Sequence, residues 1–273
     1  MKQIVFLAIA SVLLAACSEK VQVPGTGRHE VSLRSVGVAT RSSLDESSTA
    51  FSWTAGDKLS VFTGDGSSSE MVAFSTSEGG ASTDFKGSVK DGYDLSGIAL
   101  FPYNEGHSVE GQTLSFVLPA EYSYEGGSVF SADLPMLALF SDPAEVSFRH
   151  LGGAVRIRLK EVPAGASKFV FTSNRTDITG TFTSDLSADT PVISPASVTD
   201  AGRSVTISFS PLAEKQAEMD FIIPMPVCTI YGWQFDVHVG DSVLSAKSGK
   251  ASKVERCSVL EAVYSCVGMT GNT

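Results

Sequence analysis

The side chains able to make or break bonds are few in this sequence, and they stand far apart. Its four histidines, His29, His107, His150 and His238, occur singly, and no HExxH, GxSxG or phosphate-cradling Gly-x-x-x-x-Gly-Lys run is present. Gly106-His107-Ser108 sets an imidazole beside a hydroxyl. Adjacent side chains on extended chain point to opposite faces, so the two cannot serve as base and nucleophile. His150 shares a strand face with Val146 and Phe148 and reads as a core or interface imidazole, whereas His238 alternates outward with Gln234 and Asp236. Asp57, Asp65, Asp84, Asp91 and Asp94 offer oxygen ligands to calcium, yet none follows the 1, 3, 5 spacing of a binding loop. Turn residues bonding their own backbone are the simpler reading. Cys228, Cys257 and Cys266 have neither CxxC spacing nor a histidine at ligand distance, and read as buried thiols or one optional disulfide. The expectation is therefore no catalytic residue, no metal site and no cofactor.

The fourth cysteine sits in a different setting. Met1-Lys2-Gln3 precedes the apolar run Ile4 to Leu14, and small residues lead to Cys17, which together form an export signal. A bilayer span takes about 20 apolar residues, so residues 1–16 read as a signal peptide and not as an anchor. Leu14-Ala15-Ala16-Cys17 resembles the bacterial lipobox, which makes Cys17 the expected lipidation site and first mature residue. Acyl chains such as palmitate contribute about 0.8 kcal/mol per buried methylene, and two or more hold a protein stably on a membrane. Residues 17–30, with Pro24, Gly25, Gly27 and no hydrophobic period, read as a flexible tether.

The elements that must carry these residues follow from composition and period. With 42% hydrophobic and 18% charged residues among 273, the chain is too apolar to be disordered. Thirty acidic against 20 basic residues give a net charge of -10 with no basic tract, so nucleic acid is not an expected partner. Val155, Ile157 and Leu159 alternate with Arg156, Arg158 and Lys160, and Val205, Ile207 and Phe209 with Thr206 and Ser208. Leu59 and Val61, Leu114, Phe116 and Leu118, and Trp233, Phe235 and Val237 repeat this period of two. Asp65-Gly66 and Asp91-Gly92 suit tight hairpins. Only Pro211 to Met219 could begin a helix. The fold class expected is all-β, as two tandem antiparallel β-sandwiches, residues 31–144 and 145–273, divided at the Asp142-Pro143-Ala144 turn.

One stretch carries a resemblance. Val36-Gly37-Val38-Ala39-Thr40-Arg41-Ser42-Ser43-Leu44-Asp45, then Phe51-Ser52-Trp53-Thr54-Ala55-Gly56-Asp57-Lys58-Leu59-Ser60-Val61-Phe62, resembles the opening of the fimbrillins, lipoprotein pilins of Bacteroidales. Phe148-Arg149-His150-Leu151 running into Ala154-Val155-Arg156-Ile157-Arg158-Leu159, and later Phe221-Ile222-Ile223-Pro224, are similar to further strands of that family in the same order. The resemblance implies transthyretin-like sandwiches, a lipid-anchored place on the outer membrane and in a fimbrium, and no enzymatic activity. It also implies a structural role in adhesion through assembly with other fimbrial subunits. In that assembly a protease removes the first strand and a strand from another subunit fills the groove. Here the exchanged strand would lie in Val31 to Thr40, with Leu33, Val36 and Val38 facing inward, and Arg34 and Arg41 would be the processing sites. A permanent first strand with solvated arginines fits the same residues. Beyond the strand pattern at 259–264 the tail is too short to donate, unless the strand at 254–264 is itself the donor. The alternative is a non-polymerising surface lipoprotein that holds a glycan or host ligand on Tyr103, Tyr122, Tyr124 and Tyr231.

Overall fold

The structure, a computed structural model, describes residues 27–38, 52–125, 127–195 and 198–272. Every regular element among them is a strand. The first ten are β1 (Arg28–Val38), β2 (Lys58–Gly64), β3 (Ser69–Ser75), β4 (Thr83–Lys90), β5 (Asp94–Phe101), β6 (Ser108–Glu110), β7 (Thr113–Leu118), β8 (Glu121–Tyr124), β9 (Val129–Ser131) and β10 (Met136–Leu139). There follow β11 (Val146–His150), β12 (Gly153–Val162), β13 (Ala166–Ser173), β14 (Thr179–Asp185), β15 (Val198–Gly202) and β16 (Ser204–Phe209). The last five are β17 (Gln216–Met225), β18 (Cys228–Val239), β19 (Ser242–Val254), β20 (Val259–Ser265) and β21 (Thr270–Asn272). The chain is all-β, as its period-two patterning requires. Pro211 to Met219, the one stretch of helical composition, instead runs from a loop into β17, because Met219 must enter the core from a strand paired to β12.

Three apolar cores follow from how these strands pair. A closed barrel in the order β1-β11-β10-β5-β2-β3-β4 encloses Leu33, Trp53, Leu59, Val61, Phe74, Phe85, Phe101 and Phe148. The sheet β15-β14-β7-β6 contributes Leu114, Phe116 and Phe182 to a second cluster with Phe62, Leu100 and Leu137 of the barrel strands. That is why β2 is buried on both faces and reads as a nearly continuous apolar run. The third core, with Val155, Ile157, Phe169, Phe221 and Phe235, is made by the sheets β20-β12-β17-β9 and β21-β19-β18-β13-β16-β8.

Between barrel strands β5 and β10 the chain leaves to form β6 to β9, and β7 pairs with β14, β8 with β16 and β9 with β17. The Asp142-Pro143-Ala144 turn lies between β10 and β11, neighbours in the barrel through Met136↔His150. Most pairs are antiparallel, but β1/β11, β12/β20, β8/β16 and β9/β17 are parallel. Each parallel pair joins strands remote in sequence, as the geometry of parallel connection demands.

Trp53 organises the barrel interior. It is 2% exposed, meets Phe85, Phe101 and Phe148 edge-on at 4.9, 5.1 and 5.2 Å between ring centres, and donates its indole N–H to Ser35 Oγ at 3.0 Å. Trp53→Ala should cost about 3–5 kcal/mol, the range for truncating a large buried aromatic. Urea denaturation checks this, and a loss below about 1 kcal/mol would show that the barrel can collapse around the gap.

Candidate functional site

The first strand and the cleft it occupies form the site to which the sequence points. β1 runs antiparallel to β4 over eight register pairs, from Arg28↔Lys90 to Ser35↔Thr83. On its other side it runs parallel to β11, with Ser35↔Val146, Gly37↔Ser147 and Val38↔Phe148 in register and a bulge between Ser35 and Gly37. Gly37, at φ +129°, takes a conformation closed to side chains with a Cβ, which fits the bulge.

The faces of β1 follow its alternation. Leu33 is 1% exposed, Ser35 is fully buried, and half-buried Val31 packs on the barrel cluster. Val36, expected inward with Leu33, lies on the outer face and is 49% exposed, since 33 and 36 differ in parity on a strand of period two. Val38 ends the strand, and its side chain lies outside the described set. The outer face is laced by ion pairs, Arg28 with Glu70 at 2.9 Å, Glu30 with Lys86 at 3.2 Å and Arg34 with Asp84 at 3.1 Å, while His29 near the strand's start lies 3.1 Å from Asp91 Oδ1 through Nδ1. Exposed pairs of this kind contribute about 0–1 kcal/mol each, so backbone pairing and Leu33 are the main hold on the strand.

The two candidate processing residues differ in setting. Arg34 is engaged three ways: its guanidinium binds Asp84, it lies opposite Asp84 in the β4 register, and its N–H donates to Pro143 O at 2.7 Å. Cleavage beside it therefore requires β1 to open first. Arg41 and the lipidation residue Cys17 lie outside the described residues.

Two polar features escaped the sequence. Ser60 Oγ lies 3.1 Å from His107 Nδ1 and accepts the Asn104 N–H at 3.2 Å. Both Ser60 and His107 are buried, so this hydroxyl–imidazole pair pins the 102–107 loop to β2 and presents nothing to a substrate. Asp220, 4% exposed, is clamped by Arg156 and Arg158, the latter Nε at 2.9 Å, and the clamp extends to Glu261 and Glu218. Burial pushes the Asp220 pKa up, but hydrogen bonds from Arg158 and Arg156 and their charges outweigh it and hold the carboxyl below its usual range. Tyr122 and Tyr124 stand edge-on to Phe130 at 5.6 and 5.7 Å, so these rings pack instead of projecting, whereas Tyr231 is 57% exposed.

Asp57 and Asp65 act locally. Asp65 Oδ1 accepts the N–H groups of Ser67 and Ser68, which lower its pKa to about 2, and Asp57 accepts from Thr54. Among the described residues no three His, Cys, Asp or Glu side chains gather as a metal site. The Cys228 and Cys266 thiols are unbridged, and burial pushes their pKa values up to about 12 and about 11.

No family model and no curated protein sequence matches this chain. Among solved structures, a candidate cell adhesion protein from Bacteroides ovatus is similar with a TM-score of 0.50 at 13% identity, over 90% of this chain and 96% of that one. The two chains share a fold. A fimbrial protein from the same species aligns at TM-score 0.37 and 12% identity over 84% of this chain and 47% of that one. A candidate cell adhesion protein from Bacteroides thetaiotaomicron aligns at 0.36 and 13% over 85% and 92%.

His107 makes the fold pH-sensitive. Burial lowers its pKa from 6.5 to about 4, and His150, buried beside Arg256, is likewise lowered to about 4. Between those values the unfolded chain binds protons more tightly, so stability is full above about pH 6.5 and falls as the pH drops toward 4. The denaturation midpoint should fall over that window, and His107→Gln should recover about 1–3 kcal/mol of the loss. An unchanged pH slope in this variant would assign the sensitivity elsewhere.

Proposed function

We propose that this chain is a fimbrillin-like structural subunit of a cell-surface pilus, anchored to the outer membrane through acylated Cys17 and acting in adhesion without catalysis. Its partners are other fimbrial subunits, engaged by strand exchange at the position of β1. The observation that carries this reading is the seat of β1 itself. The strand is flanked on both sides by hydrogen-bonded neighbours, yet among its described side chains only Val31 and Leu33 are apolar on the inner face. Its loss would leave two strand edges and an apolar groove facing solvent, the arrangement that accepts a strand from another chain. The fold shared with a candidate cell adhesion protein supports the same reading. Processing at Arg41 would cut the chain beyond Val38, whereas Arg34 is guarded by its own pairings.

β20 bears on the role within the filament. It pairs with β12 at seven positions, Ala154↔Val259 to Lys160↔Ser265, while Leu260, Ala262 and Tyr264 pack on the sandwich core. Donating it would dismantle its own sheet, so β20 serves this chain's own sandwich and not a partner's groove. A second reading, a non-polymerising lipoprotein that binds a glycan or host ligand, draws on the projecting Tyr231.

Trypsin treatment of the mature chain should release residues up to Arg41 and yield detergent-resistant ladders on a gel, alone or with a donor-bearing subunit. Arg34→Gln with Arg41→Gln should abolish both. A cleaved chain that keeps β1 and stays monomeric with every donor offered would refute the exchange.

A further inference from the structure

Beside the barrel strands β10 and β11 lies a cavity of about 250 Å³, lined in part by side chains of these paired strands. Buried Leu137 and Leu151 supply its apolar lining, and Arg149, Arg256 and His150 line it with polar groups. Three remote segments meet there, and backbone contacts fix each one. Leu151 N–H donates to Pro135 O at 2.8 Å, Ile193 N–H to Leu151 O at 3.0 Å, and Cys257 N–H to Gly152 O at 3.0 Å. A Cβ on Gly153 would lie 2.3 Å from Glu255 O and 2.8 Å from Ser258 O, so only glycine lets the 255–258 turn approach this closely. That approach brings Arg256 to the cavity wall. The site is therefore built by the fold and does not depend on a loose loop.

Its charge is the exception on an acidic chain. Arg28, Arg34, Arg156, Arg158 and Arg203 each hold a carboxylate, whereas among the described residues Arg149, Arg175 and Arg256 are in no ion pair, and of these three Arg149 and Arg256 line the same cavity. The net charge of the whole chain is -10. Two uncommitted guanidiniums over an apolar floor match a ligand with one planar anionic head and a small body. The volume lies below the roughly 300–1,000 Å³ of common ligand sites, so that body is compact. Asp189 at the same cavity offers an acceptor to a hydroxyl on the ligand.

We propose that this cavity binds a compact organic carboxylate through Arg149 and Arg256. The carboxylate is either the acidic sugar unit of a glycan or a small free acid. Titration calorimetry on the full mature chain would compare glucuronate and butyrate with their uncharged counterparts glucose and butanol. At least one acid should bind and its neutral partner should not, and the stronger acid identifies the source. Arg149→Gln and Arg256→Gln should each weaken that binding by roughly tenfold or more, as expected for losing a charge-assisted hydrogen bond. Their urea midpoints should stay at the wild-type value, which separates lost contacts from lost folding. Failure of both acids to bind, equal binding of the neutral compounds, or full binding by the folded double variant would overturn the proposal. Equal binding of inorganic sulfate would also overturn it, because the cavity would then hold any anion without regard to its body.

Discussion

The hydrogen-bonding demand of two strand edges governs this molecule. β4 and β11 each present a row of backbone donors and acceptors toward the position of β1, and β1 satisfies both at once, antiparallel on one side and parallel on the other. An edge left open there would be a ready template for pairing, so that position favours occupation by some extended chain. Which chain fills it depends on the inward side chains. Barrel closure elsewhere does little to relieve this demand, since β3 and β4 share a single register pair, Ser75↔Lys86. The barrel is held as a barrel largely because β1 bridges it.

The same strand connects to the tryptophan that fills the interior. Ser35, at an inward position of β1, accepts the Trp53 N–H, so the indole can be buried without leaving its donor unpaired. An inward alanine or valine there would fit the apolar pattern better and yet strand the indole donor. The polar residue on the inner face of β1 thus answers to Trp53 and not to the strand's own affinity for the groove.

Much of this was legible in the sequence because strict alternation has only one structural solution. The runs at 155–159, 205–209 and 233–237 became β12, β16 and β18 with the expected residues buried. Trp53 was recognisable as a core residue from its type and its turn. Strand partners were not legible, for alternation says which face is dry and nothing about which strand lies alongside. Hence the excursion of β6 to β9 to pair with β14, β16 and β17, and the four parallel pairs, appear only in the fold. The Ser60–His107 pair joins residues 47 apart, and the clamp on Asp220 joins residues more than 60 apart. Arg156 and Arg158 were readable as the wetter side of a strand, but the carboxylate that occupies them sits on the neighbouring strand, where only register can reveal it.

Why the resident strand could yield to another follows from its composition. Its inner face carries leucine, a half-buried valine and a serine, and its outer face carries exposed ion pairs that contribute little. A replacement strand would form the same backbone ladder, so that contribution cancels between the two. The difference then rests on side chains, and each additional aliphatic residue buried against Phe85, Val146 and Phe148 contributes about 1.5–3 kcal/mol. Two such residues amount to a factor of more than a hundred in favour of the newcomer, before the cost of bringing two chains together. Thermodynamic preference alone is not enough, because the resident strand is tethered and its effective concentration at the groove is high. A cut in the chain behind β1 would remove that advantage and leave the strand held by its backbone pairing and Leu33 alone.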